Sequence, residues 1–542
     1  MQTRFCLPVW SKLIQQVSAV TLLALLLLAV VWQLSYATAT PQQMMIDQAT
    51  SMVQRTYLPD PASNLNARPA YSIRLAHQNA WESVTVYNKL NTTVEMVQAS
   101  AATPMPNPTG ITYHVSGEGD DSNDGLSDTT PFRTLQQAAD LTEAGDTVLV
   151  MNGVYRNEQP NTNILTITRS GTADEWITYK AYPGHTPQLE STDNWHAINI
   201  NGAAYIVVEG LLLRGNNTNV TEEQARSQLQ DTDNDGKPDA MEPQPAYSGN
   251  GIGITKPSNS DEYPHHIVIR KNTVSQFGGG GMYTFNADYI TIEDNVVSDN
   301  GWYSPYGNSN ISMYQNWDSA PQNEEYRMII RGNITYGSKN ILPCACSGFT
   351  EVTDGNGIIV DGLRNTQSGA PFKAYTGRTL IANNILYDNG GRGINIFSSD
   401  HIDIVNNTSY QNSTHPEIED GEIANINASD VRVYNNVFWA RADRPVNTFF
   451  NADDVVFDYN LVYGGTAFES EQPHNLVNID PQFVDVAHRN FRLQDNSAGI
   501  DAGITALAPQ DDIIGTRRPQ GNGIDIGAYE KGDTTIYLPL IR

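Results

Sequence analysis

A recurrent asparagine after short runs of β-branched residues is the feature that most constrains the fold of this chain. Runs such as HIVIRKNTVSQ, YITIEDNVVSDN and TLIANNILYDN each carry it next to a turn. The equivalent positions, at intervals of 23, 38, 51, 23, 29 and 24 residues, are Asn272, Asn295, Asn333, Asn384, Asn407, Asn436 and Asn460. A base period of about 23 residues with longer insertions predicts stacked coils, with loops of variable length inserted at one corner.

The residues around each asparagine indicate how the coils are built. Alternation within each run sends isoleucine and valine inward and polar side chains outward, as β-strands require. The asparagine then lies at a bend, where its amide can bond the turn backbone and its neighbours in adjacent coils. We therefore predict that these asparagines form a structural ladder and have no catalytic role.

The stretch from 111 to 156 predicts an entry to this stack. It reads ITYHVSGEGDDSNDGLSDTTPFRTLQQAADLTEAGDTVLVMNGVYR, with a short helix over Phe132 to Leu141 and a strand over Thr147 to Val150. Such a helix can cover the open end of a stacked β structure. The stretch resembles the entry module of right-handed parallel β-helix proteins, including polysaccharide lyases of family nine. The resemblance implies an all-β solenoid over 111–530 with an N-terminal capping helix.

The N-terminus predicts export. Residues 1–39 contain Arg4 and Lys12, an apolar run and the corner Ala37-Thr38-Ala39, which together describe a signal peptide cut before Thr40. The run is also long enough for an uncleaved membrane anchor. Either way, we expect the protein to be secreted or held at the cell surface. Residues 40–110 predict a leader region and linker.

The C-terminal residues 475–530 include LVNIDPQFVDVAHRNFRLQDNSAGIDAG and DIIGTRRPQGNGIDIGAYE. They resemble the closing module of many secreted bacterial β-helices, sometimes called choice-of-anchor Q, and the resemblance implies that this segment finishes the helix. The tail 531–542 ends in TTIYLPLIR, which is too short and too weakly apolar to span a bilayer. A sorting tag and a last strand both remain open for it.

One insertion, 215–247, carries a calcium-binding pattern. Acidic residues occupy loop positions 1, 3, 5, 9 and 12 with Gly236 at position 6, which is the EF-hand ligand spacing: Asp231, Asp233, Asp235, Asp239 and Glu242. A helical run enters the loop, but Pro243 and Pro245 forbid a normal exiting helix. The loop therefore resembles the isolated calcium loops of dockerins and thrombospondin-type repeats. We predict that it binds Ca²⁺ and stiffens the insertion.

The composition narrows the partners of the chain. The formal net charge is −28, which disfavours binding to nucleic acid or to the phosphate face of a membrane. We expect a monomer whose partner is a polysaccharide lying in the elongated groove of a β-helix. Cys344 and Cys346, in the sequence CAC, are too close for an easy bridge, and the chain has no disulfide framework.

The stretch from 353 to 399 collects the charged residues from which an active site could be built: Asp354, Asp361, Arg364, Lys373 and Arg392. A calcium-dependent lyase acting by β-elimination on a uronate-containing polymer would hold the ion with Asp354 and Asp361. Lys373 or Arg392 would then take the C5 proton, and Arg364 would bind a carboxylate.

Two alternatives to the lyase stay open. Asp354 and Asp361 could serve as the acid and base of a glycoside hydrolase, or the protein could be a non-catalytic surface protein that binds glycan. In either case Trp302, Tyr303 and Tyr306 are candidate platforms for sugars, with loop packing as their structural alternative.

The resemblance to family nine does not extend to its catalytic base. There a lysine lies on a strand that follows a Gly-Asn-Gly turn, and the comparable run here is Gly355-Asn356-Gly357-Ile358-Ile359-Val360. Ile359 stands where the lysine is expected. A base must therefore come from elsewhere, or the chemistry is different.

Overall fold

The computed structural model describes residues 109–320, 325–366 and 373–532. Its strands form three long parallel sheets, and the chain visits the third, the first and the second sheet in turn in each coil. This architecture confirms the predicted right-handed parallel β-helix. The signal peptide, nearly all of the leader and most of the C-terminal tail lie outside the described residues. Among the described residues, no helix is long and apolar enough to cross a membrane.

The strands of each sheet pair in parallel register with their neighbours in adjacent coils. The first sheet consists of β1 (Thr112–Val115), β2 (Thr147–Val150), β5 (Ile177–Ala181), β8 (Ala204–Glu209), β13 (His265–Arg270), β16 (Asp288–Glu293), β19 (Tyr326–Arg331), β22 (Arg378–Ala382), β25 (Asp400–Val405), β28 (Ser429–Tyr434) and β31 (Val455–Asp458). The second sheet consists of β3 (Val154–Tyr155), β6 (Gln188–Glu190), β9 (Leu212–Arg214), β14 (Thr273–Ser275), β17 (Val296–Ser298), β20 (Ile334–Tyr336), β23 (Ile385–Tyr387), β26 (Thr408–Tyr410), β29 (Val437–Ala440), β32 (Leu461–Gly464) and β33 (Leu476–Val477). The third sheet consists of β4 (Leu165–Ile167), β7 (His196–Asn201), β12 (Asn250–Thr255), β15 (Met282–Phe285), β18 (Ile311–Tyr314), β21 (Ile358–Asp361), β24 (Ile394–Phe397), β27 (Ile423–Ile426) and β30 (Asn447–Phe450).

The core is the column of side chains that point into the coils. Ile290 and Ile292 of β16 are buried and pair in register with Met328 and Ile330 of β19, which are buried as well. Because the side-chain period of a strand is two, every coil adds branched aliphatic residues to the same interior. The predicted inward positions of isoleucine and valine are therefore confirmed.

The predicted asparagine ladder is present at the bend between the first and second sheets. The Oδ1 of each asparagine accepts the backbone N–H of its equivalent one coil earlier, as in Asn333 N to Asn384 Oδ1 at 2.9 Å and Asn384 N to Asn407 Oδ1 at 2.9 Å. The ladder extends one step further than the repeat indicates, because Asn475 accepts from the backbone N–H of Asn460. These bonds satisfy backbone groups that the bend removes from the sheets.

The capping helix α1 spans Leu135–Leu141 and buries Leu135, Ala138 and Ala139 against the first coils. It begins later than the predicted Phe132, because Phe132 bridges Val115 in the β structure and Thr134 caps the helix instead. The Thr134 hydroxyl accepts the Gln137 N–H, which satisfies one of the free donors of the first turn. The helix covers the open end of the coils, as predicted.

The insertion 215–247 contains a 3₁₀ turn (Asn217–Asn219), helix α2 (Glu222–Arg226), the antiparallel pair β10 (Leu229–Gln230) and β11 (Ala240–Met241), and the one-turn helix α3 (Pro245–Ser248). A capping box between Thr221 and Gln224 starts α2. Pro245 lies in the first turn of α3, so the loop is followed by a single helical turn. The short entering helix and the missing long exiting helix agree with the sequence pattern.

The C-terminal segment packs along the side of the coils. The antiparallel pair β34 (Phe483–Asp485) and β35 (Asn490–Leu493), joined by a 3₁₀ turn (Val486–His488), packs on the outer face of the second sheet. Phe483 and Phe491 belong to one buried cluster with Ile385, Val437 and Leu461, which come from three coils. The segment also contributes β33, the last strand of the second sheet, before it covers this apolar sheet face.

Cys344 and Cys346 are joined by a disulfide next to a third 3₁₀ turn (Ala345–Ser347), contrary to the expectation from their spacing. The turn brings their Cα atoms to 5.0 Å, within the range that a disulfide needs. The bridge closes a local loop and does not link coils.

Candidate functional site

The outer face of the third sheet carries two rows of side chains that run along the helix axis. Their positions follow from register, because Tyr314 of β18 pairs with Asp361 of β21, and Asp361 pairs with Phe397 of β24. We call the rows the inner row, made of Tyr283, Ser312, Ile359, Asn395, Ala424 and Thr448, and the aromatic row, made of Phe285, Tyr314, Asp361, Phe397, Ile426 and Phe450. Asp361 is the only carboxylate in these rows.

Asp361 has the most strongly perturbed carboxyl group of this face. Burial, followed by the negative charge of Asp354, raises the pKa of Asp361 to about 8. Its Oδ1 atom is buried and has no hydrogen-bond partner among the described residues. A carboxyl in such surroundings keeps its proton at neutral pH and can donate it.

Asp354 lies in the loop that leads into β21, in a different environment. Its Oδ2 accepts the hydroxyl of Thr353 at 2.7 Å and its Oδ1 accepts the amide of Asn356 at 2.9 Å. Burial raises the pKa of Asp354, while these two hydrogen bonds and the charge of Arg392 oppose that rise. Donors aimed at both oxygens favour the ionised form. The net effect on Asp354 is still a raised pKa, and its charge in turn acts on Asp361.

Arg392 lies beside Asp354, but its guanidinium is already engaged. It forms an ion pair with Asp420 and donates to the backbone carbonyl of Thr353. The structure therefore does not present the Arg392 guanidinium as a free group beside the carboxyls. Its contacts instead hold the loop that carries Asp354 in place, and its charge opposes part of the rise that burial causes in the pKa of Asp354.

The structure does not bring Lys373 and Arg364 to the carboxyl pair. The exposed Lys373 ammonium makes no hydrogen bond or ion pair with the residues that the structure describes, and only the Lys373 carbonyl is bonded, by Asn365. Arg364 pairs with both oxygens of Asp400, with its Nε at 2.8 Å from each. Both cations follow Asp361 in a loop whose path could not be inferred from sequence spacing.

Trp302 and Tyr303, two of the candidate sugar platforms, pack against the insertion. Tyr303 is 7% exposed and packs with Val220 and Ala225 of the insertion, and its carbonyl accepts the buried amide of Gln228 at 2.9 Å. Trp302 packs at the edge of the same cluster. These contacts correspond to loop packing, the structural alternative for these two rings.

Trp302 makes two further contacts outside this cluster. The Trp302 Nε1–H donates to the Gly337 carbonyl at 3.0 Å, and the Lys339 ammonium lies 3.8 Å from the centre of a Trp302 ring. Tyr306 is half-buried, and burial raises its pKa to about 12. Among the three, no contact with Asp354 or Asp361 is seen in the described part of the chain.

The acidic loop of the insertion brings three of its five predicted ligands together. Asp231, Asp233 and Asp235 each offer a carboxylate oxygen, and these atoms lie within 4.8 Å of one another. Asp231 also accepts the backbone N–H groups of Asp235 at 3.1 Å and Gly236 at 2.9 Å, which wraps the loop around its own first ligand. Oxygen-only donors on a sharp glycine turn fit a calcium ion.

The other two predicted ligands lie outside this group. Asp239 accepts the backbone N–H and the hydroxyl of Thr232 at 2.9 and 2.7 Å, and these bonds hold the pKa of Asp239 below its usual value. Glu242 accepts the amide of Gln230 at 3.1 Å across the pair formed by β10 and β11. Both carboxylates are therefore engaged in closing the ends of the loop.

Tyr314 and Asn395 belong to the candidate site and were missed from the sequence. Tyr314 precedes Asp361 by one coil in the aromatic row, and its pKa is raised by burial and by the charge of Asp361. Asn395 follows Ile359 in the inner row and has a buried Oδ1 without a partner among the described residues. Counting forward to the ladder asparagine does not align these positions, because Tyr314 precedes Asn333 by 19 residues and Asp361 precedes Asn384 by 23.

Comparisons with known proteins support the architecture. The family model described as Pel9A-like, right handed beta helix region, matches residues 113–275, and the model described as right handed beta helix region matches residues 347–503. The chain resembles the crystal structure of pectate lyase Pel9A, with 14% identity over 78% of this chain and 97% of that chain and a TM-score of 0.43. A glycoside hydrolase structure gives 8% identity over 71% and 99% and a TM-score of 0.44, and a rhamnogalacturonan lyase gives 16% over 72% and 96% and a TM-score of 0.34. A search of curated proteins found no match. In its fold, the chain is a right-handed parallel β-helix, as its three parallel sheets and the two family models show.

Proposed function

We propose that this protein hydrolyses a polysaccharide bound along the outer face of its third sheet, with Asp361 as the general acid and Asp354 as the general base. The observation that carries this proposal is the pair itself. Asp361 has a buried Oδ1 without a hydrogen-bond partner among the described residues, and its pKa is about 8. Asp354 accepts two hydrogen bonds, and the positive charge of Arg392 acts to lower its pKa. Two carboxyls in different surroundings, one without a partner and one held by donors, can divide the roles of acid and base in hydrolysis.

Each carboxyl has one task in the proposed reaction. The Asp361 hydroxyl donates its proton to the glycosidic oxygen as the bond from that oxygen to the anomeric carbon breaks. The Asp354 carboxylate accepts a proton from the attacking water, whose oxygen forms the new bond to the anomeric carbon. The products are two shorter chains, one of which has a new reducing end.

The lyase hypothesis needs a base that the described residues do not supply at this place. Arg392 is paired with Asp420, Lys373 has no described contact with the carboxyl pair, and Ile359 occupies the position of the family-nine lysine. The hydrolytic alternative uses Asp354 and Asp361, and the effect of the Asp354 charge on the pKa of Asp361 supports it. It is therefore the function that the geometry supports best.

Product analysis separates the hypotheses. We expect incubation of the purified protein with a polysaccharide panel to generate reducing ends without ultraviolet absorbance from unsaturated sugars. Absorbance that rises together with the reducing ends would instead identify β-elimination and contradict hydrolysis. Binding without either product would identify the non-catalytic alternative.

We further infer that the loop containing Asp231, Asp233 and Asp235 binds one calcium ion and stiffens the insertion. The insertion packs through Val220 and Ala225 on the loops around Tyr303, so an ordered insertion stabilises these loops. The support for this inference is the convergence of three carboxylates on a glycine turn.

The calcium inference makes its own prediction. Asp231→Ala combined with Asp235→Ala is expected to remove one calcium per chain in calorimetric titration and to make the insertion more sensitive to limited proteolysis. The change Asp174→Ala, at an exposed carboxylate outside the insertion, serves as the control. An unaltered calcium stoichiometry in the double variant would refute the site.

A further inference from the structure

The aromatic row provides a surface on both sides of Asp361. Register places Phe285 and Tyr314 in the two coils before Asp361, and Phe397, Ile426 and Phe450 in the three coils after it. Four of these five side chains are half-buried and Phe450 is 43% exposed, so the row is open to a ligand. Adjacent strands are roughly 4.8 Å apart, which is comparable to the advance of one pyranose residue along an extended chain.

The same face has almost no charge. The described strands of the third sheet contain no lysine or arginine, and Asp361 is their only acidic residue. Burial lowers the pKa of His196, the one histidine in these strands, to about 4, so its ring is neutral. A sugar carboxylate on this surface would have no cationic partner along the row.

The guanidinium groups near the row cannot take that role. Arg392 is paired with Asp420, and Arg364 with Asp400. Recognition of uronates relies on free arginine or lysine groups that pair with each carboxylate. The strands that carry the row contain none, and the exposed Lys373, in the loop after Asp361, has no described contact with Asp361.

We infer that the ligand of this groove is a neutral glycan, one sugar per coil, lying along the helix axis on the aromatic row. The inference rests on the hydrolytic function proposed above and adds its substrate class. Aromatic and aliphatic side chains present apolar faces to the C–H faces of neutral pyranoses. The uronate-containing polymer expected from the family-nine resemblance would instead need cations that this surface lacks.

The test measures binding separately from cleavage. The full-length Asp361→Asn variant is run in native gels that contain neutral polymers, namely β-glucan, xylan, mannan and galactan, or the acidic polymers polygalacturonate and alginate, with calcium present. We expect at least one neutral polymer to retard the protein and neither acidic polymer to do so. Retardation by an acidic polymer, or by no neutral polymer, would overturn the inference.

Variants of the row locate the binding. In the Asp361→Asn background, Phe397→Ala is expected to weaken binding to the retarding neutral polymer about tenfold, which is about 1.4 kcal/mol. Phe450→Ala, at the more exposed end of the row, should weaken it less and provides a second variant if Phe397→Ala fails to fold. Leu126→Ala changes a side chain that is 54% exposed and lies outside the third sheet, so it should leave binding unchanged.

The outcomes separate the inference from the function on which it rests. Binding to a neutral polymer by the row, together with a wild-type protein that releases no product, would support the ligand class and refute hydrolysis. Hydrolysis of polygalacturonate or alginate would support the carboxyl pair and refute the neutral glycan. Binding that Phe397→Ala and Phe450→Ala leave unchanged, in variants that are folded, would place the ligand elsewhere and refute the row.

Discussion

Asp361→Asn is expected to lower the rate of polysaccharide cleavage by about a hundredfold to ten-thousandfold while the protein stays folded. The amide keeps the shape of the carboxyl but has no acidic proton to give to the leaving oxygen. The wild-type rate should itself fall as the pH rises through about 8, because Asp361 then loses its proton. Rates are measured from reducing ends on the polymer that the wild-type protein cleaves, across the pH range.

The same substitution has a separate effect on stability. The pKa of Asp361 in the folded protein, about 8, lies above its ordinary value of 3.8. The folded state therefore gains stability from the bound proton below about pH 4, and this contribution is lost as the pH rises toward about 8. An asparagine does not titrate, so the melting temperature of Asp361→Asn should rise relative to that of the wild type across this range.

Asp174→Asn is the matched control, because it makes the same chemical change at an exposed position. It should alter neither the rate nor the pH dependence of stability. A folded Asp361→Asn protein with the wild-type rate would contradict the assignment of the general acid. A stability difference that does not change with pH would contradict a buried, protonated Asp361.

Asn384→Ala is expected to destabilise the protein by about 3 kcal/mol, through the loss of a fully buried side chain in the middle of the ladder. Its Oδ1 accepts two N–H groups of Asn333, and its Nδ2 donates to the carbonyl of Ile330 and to Oδ1 of Asn407. Alanine leaves these partners buried without their hydrogen bonds. Urea denaturation of the variant and the wild type, followed by circular dichroism, measures the difference.

Two comparisons sharpen the ladder prediction. Asn219→Ala removes an exposed amide in the insertion and should change stability by no more than about 0.5 kcal/mol. Asn384→Asp keeps the shape but loses the donor group, so it should also be clearly destabilising. An Asn384→Ala protein as stable as the Asn219→Ala protein would show that the ladder contributes little.

The regular part of the fold could be predicted from the sequence because each coil repeats the same local conditions. A branched aliphatic residue at every second position fixes which side faces inward, and an asparagine at the bend fixes where the coil turns. The ladder from Asn272 to Asn460 was therefore predictable residue by residue. The acidic loop from Asp231 to Glu242 was predictable for the same reason, since its spacing is local.

The contacts between coils were not accessible in the same way. Insertions between the repeats range widely in length, so the register of Tyr314, Asp361 and Phe397 could not be counted from spacing alone. The partners of the charged residues lie even further apart, as the pairing of Arg392 with Asp420 shows. Their closeness in the sequence made Lys373 and Arg392 candidate bases. In the structure Arg392 forms an ion pair with Asp420, whereas Lys373 has no described contact with the carboxyl pair.

The sequence by itself determined the coils, their core and the asparagine ladder, because these follow from short-range periodicity and the hydrogen-bonding needs of a bend. Only the tertiary structure decided that Asp354 lies close enough to raise the pKa of Asp361, and that an aromatic row with no cation flanks it. Electrostatic coupling and burial depend on distances between coils and on the paths of loops, and neither is encoded in any single repeat.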